Sequence, residues 1–289
     1  MMWAMAHLGC SATDPGEGLW KRHRRKALTT TRADKTQMGS VDLSVDARGV
    51  ARITFEHPAS NSLPGRLLAQ LADTVTAAGA NEDIKVIILQ SGGDRAFCGG
   101  ASFDELIAIK DLETGKRFFM GFANVINAMR KCPKFIIGRI QGKAVGGAVG
   151  LCAATDYCIA SQWASVKLSE LAVGIGPFVV GPAVARKIGK SAMSQLAINA
   201  SEWRTAQWAK EKGLFAEVFE TVEQMDAYVS HLAEKLAGYN PAAMRQLKIV
   251  FWEEARDWDE LLEERAAMSG KLVLSDFTVN AINAFKQKD

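Results

Sequence analysis

The sequence predicts an α/β fold built on parallel strands, and three observations carry that expectation. Two continuous apolar runs, KVIILQ (85–90) and FIIGRI (135–140), each lead into glycines, as strands buried on both faces do. Around them, apolar residues recur at helical spacing. From about residue 222 the pattern is helical only, in EQMDAYVSHLAEKLAGY, PAAMRQLKIVFWEEA and a stretch around Leu261, Leu262 and Arg265. Strands alternating with helices imply parallel pairing.

Each element has its own signal. VDLSVDARGVARITFE alternates around Arg48-Gly49 and predicts a hairpin. Ser62 with Pro64 starts a helix whose apolar face is Leu67, Leu68, Leu71 and Val75. The run 85–90 ends in Ser91-Gly92-Gly93; residues 115–130 follow as a helix, then FIIGRI as a strand. Gly142, Gly146, Gly147 and Gly150 come next, and DYCIA (156–160) is again strand-like. No fixed-period repeat is present. The organisation expected is an extension over 1–38, a core over 39–221 and a helical region over 222–289.

A chain of 289 residues with 48% hydrophobic and 23% charged content can bury a sizeable core. Its net charge of +3 is too small to imply a nucleic-acid partner. No apolar stretch approaches the roughly 18–20 residues of a membrane span, so no membrane partner is expected. Five cysteines without C-x-x-C spacing argue against a disulfide framework or a metal site and fit a reducing compartment. Residues 1–37 carry seven Lys/Arg against three Asp/Glu without periodicity. They read as a tail, as the product of an upstream start with Met38 the true one, or as a transit peptide. A cytoplasmic location is expected, or an organellar matrix in the last case.

Two glycine-bearing turns carry the chemistry. RAFCGGASFDEL (95–106) follows one buried strand and GKAVGGAVGLCAATD (142–156) the other. Glycine lets a backbone N–H approach a ligand closely, and two converging N–H groups make an oxyanion hole. Spacing alone favours ordinary strand-to-helix turns over an oxyanion hole. Neither turn matches a dinucleotide or phosphate-loop pattern. Cys98, beside the first glycine pair, is a weaker nucleophile candidate, with no histidine near it in sequence.

Together with VARITFEHPASNSL (50–63), GRIQGKAVGGAVGLCAATDYCIAS (138–161), KLSELAVGIGP (167–177) and RTAQWAKEKGLFAEVF (204–219), these turns resemble the enoyl-CoA hydratase/isomerase (crotonase) family. The resemblance implies a spiral of ββα repeats, a C-terminal helical trimerisation region, and homotrimers often paired into hexamers. It implies acyl-CoA thioester substrates, with coenzyme A as part of the substrate and no separate cofactor. By position, the oxyanion donors fall on Gly99 and Gly147. Ala96, Ala101 and the turn Asn61–Leu63, with Leu63 at its end, match positions that hold the CoA adenine and pantetheine.

Family hydratases commonly use two glutamates. The second falls on Glu170; the first falls on Gly150, which has no side chain. Glu170 alone would suit an isomerase, or a hydratase-lyase with another group's help; a decarboxylase would need only the oxyanion hole. The rival from another class is a non-catalytic acyl-CoA-binding subunit, which turnover of any enoyl-CoA would exclude. Pro177-Phe178-Val179-Val180-Gly181-Pro182 also departs from the family pattern and is expected to reshape the acyl pocket. Lys248 and Lys286 are candidate partners of the CoA phosphates. Leu261, Leu262, Leu272, Val273 and Leu274 are expected at a subunit interface.

Overall fold

The structure, a computed structural model, describes residues 38–286, with side chains through residue 284; residues 1–37 lie outside the described residues. Strand β1 (Ser40–Val45) pairs antiparallel with β2 (Val50–Glu56) across a turn at Gly49, whose φ of 84° suits glycine. Helix α1 (Gly65–Ala80) buries Leu67, Leu68, Leu71 and Val75, the face its periodicity predicts. Strand β3 (Val86–Ser91), helices α2 (Phe103–Ile107) and α3 (Leu112–Lys131) and strand β4 (Phe135–Ile140) follow. Next come β5 (Ala144–Val145), α4 (Gly147–Ala154), β6 (Tyr157–Ser161) and β7 (Ser165–Lys167). A 3-10 turn spans Glu170–Val173, then α5 (Gly181–Ile198), β8 (Arg204–Thr205), α6 (Ala206–Glu211) and β9 (Glu217–Phe219). Helices α7 (Val222–Ala237), α8 (Pro241–Phe251), α9 (Trp258–Leu272) and α10 (Asp276–Lys286) complete the described chain.

The main sheet runs β1-β2-β3-β4-β6-β9, parallel from β2 onward. A second layer, β5-β7-β8, is continued by single-residue parallel bridges, Leu63 to Ala101 and Cys98 to Ala144. Each turn of the chain therefore lays one strand in the main sheet, a short one in the second layer, and then a helix. That is the ββα spiral. Its second layer is too short to produce period-2 alternation, so only the main strands stand out in the sequence.

One large apolar core fills the space between the main sheet, α1, α3, α4 and α5, and a second cluster lies between the other sheet face and α7. Helix α9 packs on α3 through glycines: a Cβ at Gly115 would lie 2.7 Å from the Gly270 carbonyl oxygen. Leu262 joins the large core and Val273 a smaller cluster with Ile175 and Ile282, so both are buried within their own chain, while Leu272 is exposed. The apolar character of Leu262 and Val273 is explained within the chain, so those two residues are not the interface residues expected from the sequence. Lys248 is also structural. Its Nζ donates to Asp156 Oδ2 and to the Lys134 carbonyl, both at 2.8 Å, while Trp252 Nε1 donates to Asp156 Oδ1. A lysine buried in an ion pair has no free face for a CoA phosphate. The side chain of Lys286 lies outside the described residues.

At the junction of α4 and α5, Gly150 faces Val180. A Cβ built on Gly150 would lie 2.5 Å from Val180 Cγ1 and 2.7 Å from its Cβ. Gly150→Ala should therefore cost about 1–3 kcal/mol through overpacking. Urea melts of Gly150→Ala, Val180→Gly and the double variant check this. The double variant should be more stable than the sum of the two single losses, and strict additivity would mean that the two positions do not meet.

Candidate active site

The two glycine turns meet by backbone pairing. Cys98 N–H donates to the Lys143 carbonyl and Val145 N–H to the Cys98 carbonyl, both at 3.1 Å. Glycine is required twice here: Gly100 has φ 92° with the Val145 carbonyl oxygen against it, and Gly146 has φ 55°. Gly147 opens α4, and the ring of Phe122 covers the place where its side chain would be. Gly100, Ala101, Gly147 and Glu170 line one cavity of about 140 Å³.

The N–H groups around this cavity divide sharply. Gly99 N–H donates to the Ser60 carbonyl at 2.9 Å, Gly100 N–H to the Cys98 sulfur at 3.4 Å, and Gly146 N–H to the Lys167 carbonyl at 2.8 Å. Ala101 N–H and Gly147 N–H have no acceptor among the described residues. Gly99 is therefore not available as a donor. The pair open to a ligand is Ala101 and Gly147, the latter at a helix start, where first-turn N–H groups are unsatisfied.

Of the residues expected to contact CoA, Asn61, Ala96 and Leu63 also tie the surrounding loops together. Asn61 donates through Nδ2 to the carbonyls of Gly92 (2.8 Å) and Ala96 (2.9 Å), and its Oδ1 accepts the His57 N–H. The Ala96 carbonyl also accepts Gln141 Nε2 at 3.2 Å. Both amide hydrogens of Asn61 and both lone pairs of that carbonyl are thus committed. Leu63 is wholly buried, and its N–H donates to the Gly100 carbonyl. Ala101 alone of this group lines the cavity.

Glu170 begins the 3-10 turn and reaches over Gly146, where a Cβ would lie 3.2 Å from its Oε1. Its Oε2 is buried with no hydrogen-bond partner among the described residues. Burial pushes the carboxyl up to about 7, since water that would solvate the anion is excluded. Leu168 is buried, while Leu171, next to Glu170 in sequence, is half exposed. The apolar wall comes instead from Phe103, Phe118, Phe119, Phe122, Phe178 and Val180. Ser269 on α9 also reaches the cavity, a contribution from distant sequence with no local signal. Cys98 is no nucleophile: it is fully buried, and desolvation pushes its thiol up to about 12. Among the described residues no cluster of metal-ligating side chains occurs, and no helix is long and apolar enough to cross a membrane.

Comparison with known proteins agrees with this architecture. An enoyl-CoA hydratase from Bacillus halodurans superposes with a TM-score of 0.78 at 20% identity, over 84% of this chain and 99% of that one. The 2,3-dehydroadipyl-CoA hydratase of Escherichia coli (strain K12) is 30% identical over 69% of this chain and 76% of its own length. The peroxisomal Delta(3,5)-Delta(2,4)-dienoyl-CoA isomerase of Arabidopsis thaliana is 26% identical over 79% of this chain and 86% of its own length. The sequence pattern of the enoyl-CoA hydratase/isomerase family matches residues 46–288. With the spiral and both glycine turns in place, this chain belongs to the enoyl-CoA hydratase/isomerase family.

Proposed function

We propose that the protein moves the double bond of an enoyl-CoA thioester, with Glu170 as its one acid/base and the N–H groups of Ala101 and Gly147 as its oxyanion hole. The observation that carries this reading is the solitary, dehydrated Glu170 carboxyl beside two unpaired N–H groups. As a carboxylate it takes a proton from the α-carbon of a 3-enoyl thioester. The electron pair moves onto the thioester oxygen, where the two N–H groups stabilise the dienolate. Glu170 then returns the proton to the γ-carbon, leaving a 2-enoyl thioester. A group ionising near 7 suits both halves of this transfer at neutral pH.

Val180 favours proton transfer over addition of water. It fills the space into which a side chain at Gly150 would point, so a second carboxylate has no room there. A water ready to attack needs two or more polar partners. Beyond the oxyanion donors, the cavity presents mainly Glu170, Ser169 and Ser269 among phenylalanines and valines. The names of relatives support both branches of the family, hydratase and isomerase. The missing second acid favours the isomerase branch.

Glu170→Gln keeps the shape and removes the proton transfer, so turnover of 3-enoyl-CoA should fall at least about 10²-fold while CoA-ester binding persists. In the wild type the active form is the carboxylate, so kcat should be high above pH 7 and fall as pH drops through about 7, with one ionisation. Near-normal turnover in Glu170→Gln would remove it from the mechanism. It would leave decarboxylation by the oxyanion hole alone as the better reading.

We also infer a homotrimer or hexamer. Leu247, Ile249, Val250 and Phe251 stand exposed on α8, a denser apolar patch than an isolated surface helix carries. Sedimentation at micromolar concentration should give a trimer or larger; a stable monomer would overturn this.

A further inference from the structure

We propose that helix α10 is the positioning element for Glu170, holding its turn in place and keeping water away from its carboxyl. The inference rests on the single-carboxylate reading above and concerns residues far from Glu170 in sequence.

The 3-10 turn that begins at Glu170 ends at Gly174, which has φ 81°. The space beside the Gly174 α-carbon is filled by α10: a Cβ there would lie 2.5 Å from both Phe277 Cδ1 and Thr278 Oγ1. Thr278 is fully buried, and the start of α10 is tied down by Ser275, whose Oγ accepts the Thr278 N–H and bonds its hydroxyl at 3.1 Å. One turn further on, Ile282 is buried in a cluster with Ile175 and Val273. Leu106, Phe119 and Val173 pack against that cluster and line the active-site cavity with their other faces. Helix α10 is therefore the outer layer of the wall that encloses Glu170.

Removing part of this layer should admit water to the carboxyl. Charged side chains stand on the surrounding elements: Lys167 on β7, Asp104 and Glu105 on α2, Arg186 and Lys187 on α5, Lys271 on α9 and Asp276 on α10. None of them shifts the ionisation of Glu170. Burial raises it, opposed only by a hydrogen bond from its own backbone. Loss of burial should therefore move the carboxyl in one direction, down toward the ordinary range.

The test is a carboxyl ¹³C NMR titration of the full chain labelled at glutamate, with the Glu170 resonance assigned by its loss in Glu170→Gln. The wild-type midpoint is expected near 7. In Ile282→Ala and in Phe277→Ala it should fall by at least about one unit, with the pH–kcat profile moving equally and KM unchanged. Ile198→Ala, at the exposed end of α5, should move neither. A variant that melts cooperatively yet keeps its midpoint within about 0.3 units of wild type overturns the proposal. If Ile282→Ala fails to fold, Phe277→Ala decides by the same criterion, since its ring is 67% exposed. The two readings fail separately: full turnover in Glu170→Gln would sink the acid/base role, while the carboxyl titration still reports on α10.

Discussion

The site depends on the narrow second layer of the spiral, where strands shrink to between one and three residues. Pairing of Cys98 with Ala144, of Gly146 with Lys167 and of Gly99 with Ser60 commits the N–H groups of Cys98, Gly99, Val145 and Gly146 around the cavity. What it leaves open is Ala101 and Gly147. Backbone N–H groups fixed in this way need no reorganisation when negative charge develops on a substrate oxygen, which is what makes oxyanion holes effective. The glycines at 100 and 146 serve this pairing through their positive φ. Gly147 instead makes room for Phe122, which covers the start of α4.

Glu170 is the second consequence. Held by a short turn against Gly146, walled by aromatic rings and left without a hydrogen-bond partner among the described residues, its carboxyl keeps its proton to about pH 7. Such burial costs stability: between the ordinary carboxylate range and pH 7 the unfolded chain releases a proton that the folded chain retains, so stability falls as pH rises through that window. The two departures from the family pattern, Gly150 and the Phe178-Val179-Val180 segment, are one feature in space. Val180 occupies the position that a side chain at 150 would need.

Much of this was legible in the sequence, and the exceptions have physical causes. The hairpin at Gly49, the face of α1 and the buried strands β3 and β4 follow from local pattern and turn chemistry, which tertiary contacts do not override here. By position in the family motif, the first oxyanion donor falls on Gly99. The register of the 95–106 turn is set instead by the Ser60 carbonyl, and that contact moves the free N–H to Ala101. Asn61 and Ala96 look like ligand contacts in a motif but spend their polar groups on each other and on neighbouring loops. Lys248 looks like a surface lysine until Asp156, distant in sequence, is brought beneath it. Leu262 in α9 looks like an interface residue until the core shared with α3 is seen to cover it. In each case the deciding partner is remote in the chain, where periodicity carries no information.

The central claim is that one carboxyl moves a proton between carbons and adds no water. Incubating the enzyme with 3-enoyl-CoA in H₂¹⁸O, followed by mass spectrometry of the acyl product, tests it most directly. The account predicts a 2-enoyl thioester of unchanged mass without ¹⁸O, formed before any hydroxyacyl product. Rapid appearance of an ¹⁸O-labelled 3-hydroxyacyl thioester, at a rate matching or exceeding double-bond movement, would contradict it.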